Sequence, residues 1–243
     1  MLEDYVVIDL EMTGLNAKKD AILETGAVRV RNGKAEECYT ALLNSGRMLS
    51  EELTALTGIT QEMASEGREP EEAMPEFFDF IGEDVLVGQN IIFDYGFLKQ
   101  WAVNHGFPFE RKAVDTLKLS RMFLPADQKK DLESLCGYFE IERRNAHRAL
   151  DDAIETWQIF EELKRRYSDK SEAFVPRELV YKAKKQTPAT DRQKQCLRRY
   201  AQRLDITVPA ELDRMTRSEA SRLLDNWIAQ YGKLPAEPEI RQS

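Results

Sequence analysis

Apolar positions along the chain mark short strands at the start, followed by strands that alternate with helices. YVVIDL (5–10) is a short run of β type. ILETGAVRVRNG (22–33) and AEECYTALLN (35–44) are two more, and the RNG between them is a turn signal, so the pair predicts a hairpin. SEELTALTG (50–58) predicts a short helix with Ser50 as N-cap and Gly58 at its end. PEEAMPEFFDFIG (70–82) predicts an amphipathic helix opened by proline and acids. DVLVGQ (84–89) is a buried strand candidate, and FDYGFLKQWAVNHG (93–106) a helix closed by Gly106. KAVDTLKLSRMF (112–123) is a short strand running into a helix; DLESLCGYFEI (131–141) and ALDDAIETWQIFEELKRRY (149–167) are a short and a long helix. This order gives a mixed α/β sheet.

Beyond residue 167 the pattern changes. Residues 171–187 are polar, contain Pro176, and predict a linker after a first domain of residues 1–170. TDRQKQCLRRYAQRLDI (190–206) and TRSEASRLLDNWIAQY (216–231) predict two helices capped by Thr190 and Thr216, the second opening on a T-x-x-E capping box. Residues 188–234 are thus expected to form a small all-helical unit, and 235–243 a frayed tail.

Charge sharpens that division. The net charge of −8 is unevenly spread: residues 1–175 carry 21 basic and 34 acidic side chains, a net of −13, whereas 176–234 carry 13 and 7, a net of +6. An acidic front repels nucleic acid unless metal ions change its local field; a basic unit attached to it restores attraction. No apolar run approaches the ~18 residues of a membrane helix, so no membrane association is expected. The acidic N-terminus lacks a signal-peptide layout, and three scattered cysteines, Cys38, Cys136 and Cys196, suggest neither a disulfide framework nor a metal knot. A cytoplasmic protein is the expectation.

The candidate chemistry is carried by acids and one histidine. Asp9 and Glu11 end the first strand two residues apart, so both carboxylates share a face. Paired acids there are costly unless a cation joins them, although an exposed edge strand would also tolerate them. Asp94 stands just past the end of DVLVGQ, where α/β sheets build sites; a helix cap is its ordinary alternative. His147 precedes a helix whose first turn holds Asp151 and Asp152. Acids there suit the helix dipole, or one of them faces the sheet and binds metal.

In order and spacing, VVIDLEMTGL, LTGIT, VGQNIIFDYGFL, VDTLKLSRMFLP and NAHRALDDAIET resemble the DEDDh (DnaQ-like) 3′→5′ exonuclease family, over residues 5–167. The resemblance implies a ribonuclease-H-like fold, five mixed strands with helices on both faces, beside the C-terminal helical unit. It implies Asp9, Glu11, Asp94, His147 and Asp152 as catalytic residues, Asp152 over Asp151 because the family's aspartate stands five residues after the histidine. It also implies two Mg²⁺ or Mn²⁺ ions, one on Asp9, Glu11 and Asp152, the other on Asp9 supported by Asp94. His147 becomes the base for an attacking water, with nucleoside 5′-monophosphates as products. Met12, Thr13, Gly14, Leu15 and Asn90 are implied to hold the terminal nucleotide, although Leu15 could equally be core. Two departures stand out: Gln89 where many members have histidine, and Met12 where many have threonine. DLEMTGL itself resembles oligoribonuclease. Single-stranded DNA 3′ ends in replication or repair are therefore the expected substrate, with an RNA-trimming enzyme as the alternative and an inactive nucleic-acid-binding protein as a further one. The basic unit is expected to grip nucleic acid, dock a polymerase or other protein, or simply pack as a hairpin.

Overall fold

A computed structural model describes residues 1–143, 146–208 and 212–233. The expected tail, 235–243, and Asn145 of the NAHRALDDA segment lie outside these residues. The chain divides into two compact units, Met1–Lys184 and Lys185–Ser243.

The first unit is built on one sheet. Strand β1 (Tyr5–Met12) pairs antiparallel with β2 (Ile22–Arg31), which pairs antiparallel with β3 (Lys34–Leu42). The β2–β3 turn uses Asn32 and Gly33, both at positive φ, as a tight hairpin requires. On the other side of β1 lie β4 (Leu86–Gly88) and β5 (Lys112–Asp115), both parallel, and then a two-residue antiparallel strand β6 (Arg177–Glu178). The order is β3-β2-β1-β4-β5-β6, six strands rather than five. The sixth lies inside the stretch read as a linker. Its ladder to β5 and the packing of Leu179 and Tyr181 on the core carry the first unit to Lys184, past residue 170.

Helices cover both faces of the sheet, and the side-chain parity of β1 decides which residues meet them. Val6, Ile8 and Leu10 pack with α3 (Pro70–Ile81) and α4 (Ile92–His105). Tyr5 and Val7 point the other way, to a second core that includes Leu119 of α5 (Thr116–Phe123), Leu135 of α6 (Leu132–Phe139) and Phe160 of α7 (Ala149–Arg166). Burying each large apolar side chain contributes about 2 kcal/mol. Asp9 and Glu11 continue the parity of Tyr5 and Val7, so their side chains face α7.

Two short helices follow β3. The expected α1 (Glu51–Thr57) is capped by Ser50 and ends on a left-handed Gly58. An unexpected α2 (Gln61–Glu66) is capped by the Thr60 side chain.

The second unit holds α8 (Asp191–Leu204) and α9 (Arg217–Tyr231). Both open on complete capping boxes, at Thr190 with Gln193 and at Thr216 with Glu219. Leu197, Tyr200, Ala201, Leu212, Ala220 and Trp227 form its core.

Candidate active site

The start of α7 is fixed to β2 by two residues. Gly26, opposite Asp9 in the β1–β2 register, gives the helix room: a Cβ there would stand 2.2 Å from the Ala149 carbonyl carbon. Glu24, buried and opposite Glu11, accepts the fork of Arg148 (2.6 Å from Nη2) and the Ala149 backbone N–H (3.1 Å). This contact spans 124 residues of sequence, and its charge-assisted hydrogen bonds are of the stronger kind. Together they hold the first turn of α7 against the end of β1.

That docking brings Glu11, His147 and Asp152 together. One potential ligand atom from each lies within 4.8 Å of the others. His147 has a left-handed backbone, φ 60°, in the turn leading into α7. His105, the other histidine, stacks on Trp101 with ring centroids 3.8 Å apart, and its Nδ1 lies 2.8 Å from the Trp101 carbonyl.

Asp94 enters from the opposite face of the sheet. It sits in the first turn of α4, whose N-cap is Ile91, so it is not the cap. Its Oδ1 instead accepts the Leu10 backbone N–H at 3.1 Å, between Asp9 and Glu11 in the chain. The turn before α4 is held by Asp115, whose Oδ1 accepts the Asn90 and Leu117 N–H groups at 3.2 and 3.0 Å. Asn90 takes a positive φ there. Gln89, at the departure from the family pattern, accepts from Thr116 Oγ1 at 2.6 Å and donates to the Lys130 carbonyl at 2.7 Å.

The electrostatics follow from crowding acids together. Asp9 is half-buried by surface area, but enough protein surrounds its carboxylate to desolvate it. That desolvation, with repulsion from Asp94, Asp152, Glu11 and Glu24, holds Asp9 well above the usual carboxylate range. Burial, then Asp152 and Glu24, push Glu11 up to about 7 against the pull of Arg148. Burial raises Asp94 to about 8, opposed by its backbone hydrogen bonds. Burial also raises Asp152, opposed by Arg143 and His147.

Arg143 is a residue that the sequence pattern did not single out. Its Nη2 lies 2.8 Å from Asp152 Oδ1 and its Nε 2.8 Å from Glu155 Oε2. It is the counter-charge for two buried carboxylates of α7. Three charged residues on a helix and its entry loop give no periodic signal, so only the fold reveals the cluster.

The segment Met12–Leu15 follows a register shift between Glu11 and Met12. Met12 packs on the edge of the first core, and Thr13 Oγ1 accepts the Ala21 N–H at 2.9 Å. Gly14 lies against the Asp20 carboxylate, 2.6 Å from where a Cβ would stand. Leu15 is 83% exposed, which removes the core reading of this residue.

Comparison with known proteins agrees with this architecture. The model of the RNase_T exonuclease family matches residues 6–160. The chain is 38% identical over 157 residues to the PolC-type DNA polymerase III of Thermotoga maritima, covering 64% of this chain but 11% of that protein. It is 36% identical over 157 residues to the DNA polymerase III subunit epsilon of Aquifex aeolicus, covering 64% of this chain and 78% of the relative. The chain thus spans about a ninth of the PolC-type relatives it matches. Among solved structures, Exonuclease X bound to 5′ overhanging duplex DNA superimposes with TM-score 0.55 at 23% identity, over 70% of this chain and 96% of that one. E. coli Exonuclease I bound to a dT13 oligonucleotide gives TM-score 0.63 at 16% identity, over 70% and 43%. These two likenesses speak to the fold.

Proposed function

This chain belongs to the RNase_T exonuclease family, and on that premise we propose that it is a 3′→5′ exonuclease that removes nucleoside 5′-monophosphates from single-stranded DNA 3′ ends with two divalent cations. The observation that carries the reading is the meeting of Glu11, His147 and Asp152 within 4.8 Å, beside the crowded carboxylates of Asp9 and Asp94. All four acids offer hard oxygen donors; burial raises the proton affinity of each, and neighbouring acids add to it at Asp9, Glu11 and Asp94, a cost that bound cations would offset. We assign one Mg²⁺ or Mn²⁺ to Asp9, Glu11 and Asp152, and the second to Asp9 with Asp94. When bound, such a pair supplies an acidified water and charge stabilisation at the leaving 3′ oxygen. His147 takes the proton of that water; imidazole is the side chain suited to accept one near neutral pH. Asp94, anchored on the Leu10 N–H, keeps its carboxylate at the end of β1. We assign the terminal nucleotide to Met12, Thr13, Gly14, Leu15 and Asn90.

The basic second unit is assigned to the strand upstream of the cut. Its cations Arg192, Arg203, Arg217 and Arg222 are exposed. Docking of a polymerase is the competing role for this unit, and the polymerase identities of the sequence relatives favour weighing it. Among the described residues no helix is long and apolar enough to cross a membrane.

The test is digestion of 5′-labelled DNA and RNA oligonucleotides of matched sequence with Mg²⁺, Mn²⁺ or EDTA. Stepwise shortening of DNA from the 3′ end, abolished by EDTA, is expected. Faster loss of short RNA would move the substrate to the oligoribonuclease type that DLEMTGL suggested. Cutting that persists in EDTA would remove the metal assignment.

A further inference from the structure

The stretch that follows β6 closes a small cleft beside the candidate active site. Residues 179–184 lie beyond the family match, which ends at residue 160, so no family position accounts for them. They are tied to the nuclease body at both ends. The Leu179 N–H donates to the Arg111 carbonyl at 3.0 Å, and Gln100 Nε2 donates to the Lys184 carbonyl at 2.9 Å. Between these anchors the Tyr181 ring lies on Gly96 of α4; a Cβ on Gly96 would stand 3.1 Å from a ring carbon. Glycine at that point lets an aromatic face approach the helix backbone.

Tyr181 is half-buried rather than core. With Leu15, Ala17, Phe93 and Phe97 it lines a cleft of about 250 Å³. That is below the ~300–1,000 Å³ of sites for whole drug-sized ligands, and suits one flat fragment. Two of its lining residues are chain neighbours of candidate site residues: Leu15 continues the Met12–Gly14 segment, and Phe93 directly precedes Asp94. Its walls combine aromatic faces with the exposed apolar Leu15. Next to it, Lys182 and Lys184 are exposed, and neither ammonium has an ion-pair partner among the described residues. Aromatic faces flanked by free cations form the platform on which single strands stack their bases and place their phosphates.

We propose that Tyr181 is a base-stacking residue of this exonuclease: a base of the bound strand near its 3′ end enters the cleft between Leu15 and Tyr181, with Lys182 and Lys184 on neighbouring phosphates. This rests on the reading of the chain as a nuclease acting on single strands. The strap thereby adds to the substrate grip a wall built from residues beyond the family match.

The experiment uses the full chain and DNA oligonucleotides carrying 2-aminopurine at the first, second or third position from the 3′ end, with Ca²⁺ replacing Mg²⁺ to suppress cutting. Fluorescence of the probe in one of these positions is expected to be quenched on binding to the wild type and to Y181F. Tyr181→Ala should restore it and, in separate cutting assays with Mg²⁺, raise KM about tenfold, the size of losing one base–aromatic stack, and leave kcat within about twofold. Tyr181→Trp should restore a low KM. The double variant K182A/K184A should flatten the dependence of log affinity on log salt by about 0.7 for each phosphate no longer neutralised. Unchanged quenching and KM in Y181A would overturn the proposal. So would a fall in kcat and melting temperature together without a change in quenching, because that marks a ring that only supports the fold. Cutting of unmodified DNA by the wild type, read in parallel with Mg²⁺, tests the nuclease reading separately.

Discussion

The two units of this chain handle charge in opposite ways. Among the described residues of the second unit, both helices have complete capping boxes, the core is apolar, and the charged side chains lie outside it. In the first unit, Asp94, Asp152, Glu24 and Glu155 are buried, and Asp9 and Glu11 are crowded among them. A fold keeps such groups only at a cost in stability, and that cost is the physical reason for proposing this cluster as the active site. The contrast also separates proposed roles: the first unit concentrates negative charge that cations would neutralise, and the second presents positive charge to solvent.

Removing the concentrated charge should produce the largest effects. Asp9→Ala, Glu11→Ala and Asp152→Ala are each expected to remove nearly all turnover; metal-free Asp9→Ala and Glu11→Ala should keep or gain melting temperature, since a repelled carboxylate is gone, whereas Asp152→Ala also takes a partner from Arg143 and should not gain. His147→Ala should lower turnover about 10²–10⁴-fold, the range for loss of a general base, with Mn²⁺ affinity nearly unchanged by calorimetry. A parallel collapse of Mn²⁺ binding in that variant would make His147 a ligand instead.

Next in size is the loss of the internal counter-charge. Arg143→Ala leaves the Asp152 and Glu155 carboxylates buried without their partner, and such a loss costs about 3 kcal/mol. Chemical denaturation without metal should show this, and saturating Mn²⁺ should return part of the stability by replacing positive charge near Asp152. Full stability of the metal-free variant would mean the pair in the structure contributes nothing.

A smaller effect is expected from ending the chain at Lys184. The first unit should keep its turnover on short oligonucleotides and bind long single strands more weakly, with a shallower salt dependence. Equal salt slopes for both chain lengths would reject the grip and favour protein docking by the second unit. Least of all, Thr190→Ala and Thr216→Ala should each cost about 1 kcal/mol of stability in the second unit and leave cutting of short strands untouched. A change in that cutting would break the division of labour between the units.

Most elements were legible in the sequence, because alternation and helical periodicity are local signals. The two-residue β6 was not: it is too short to show alternation, and only its ladder to β5 reveals it. The single turn and a half of α2 was missed for the same reason. Asp9 and Glu11 could be placed on one face from strand parity alone. Their neighbours could not. Glu24 and Gly26 read as ordinary strand residues, and their task, seating the first turn of α7, exists only across a long sequence separation. Leu15 allowed two readings until its exposure removed the core one.

The central claim is that the crowded carboxylates are a cation site, and its most direct test is the melting temperature at pH 6 and pH 8 with and without Mn²⁺. The folded protein raises Glu11 to about 7 and Asp94 to about 8, with Asp9 also raised, whereas unfolded carboxylates titrate near ~4. Between those values the folded state holds more protons than the unfolded one. The stability linked to them is complete below about 4 and is lost as pH rises through about 7–8. Cations bind the deprotonated forms, so their effect grows with pH. The account predicts that the metal-free protein melts lower at pH 8 than at pH 6, that Mn²⁺ raises the melting temperature more at pH 8, and that Asp9→Asn reduces both differences. A melting temperature that ignores Mn²⁺ at both pH values, with Asp9→Asn indistinguishable from the wild type, would contradict it.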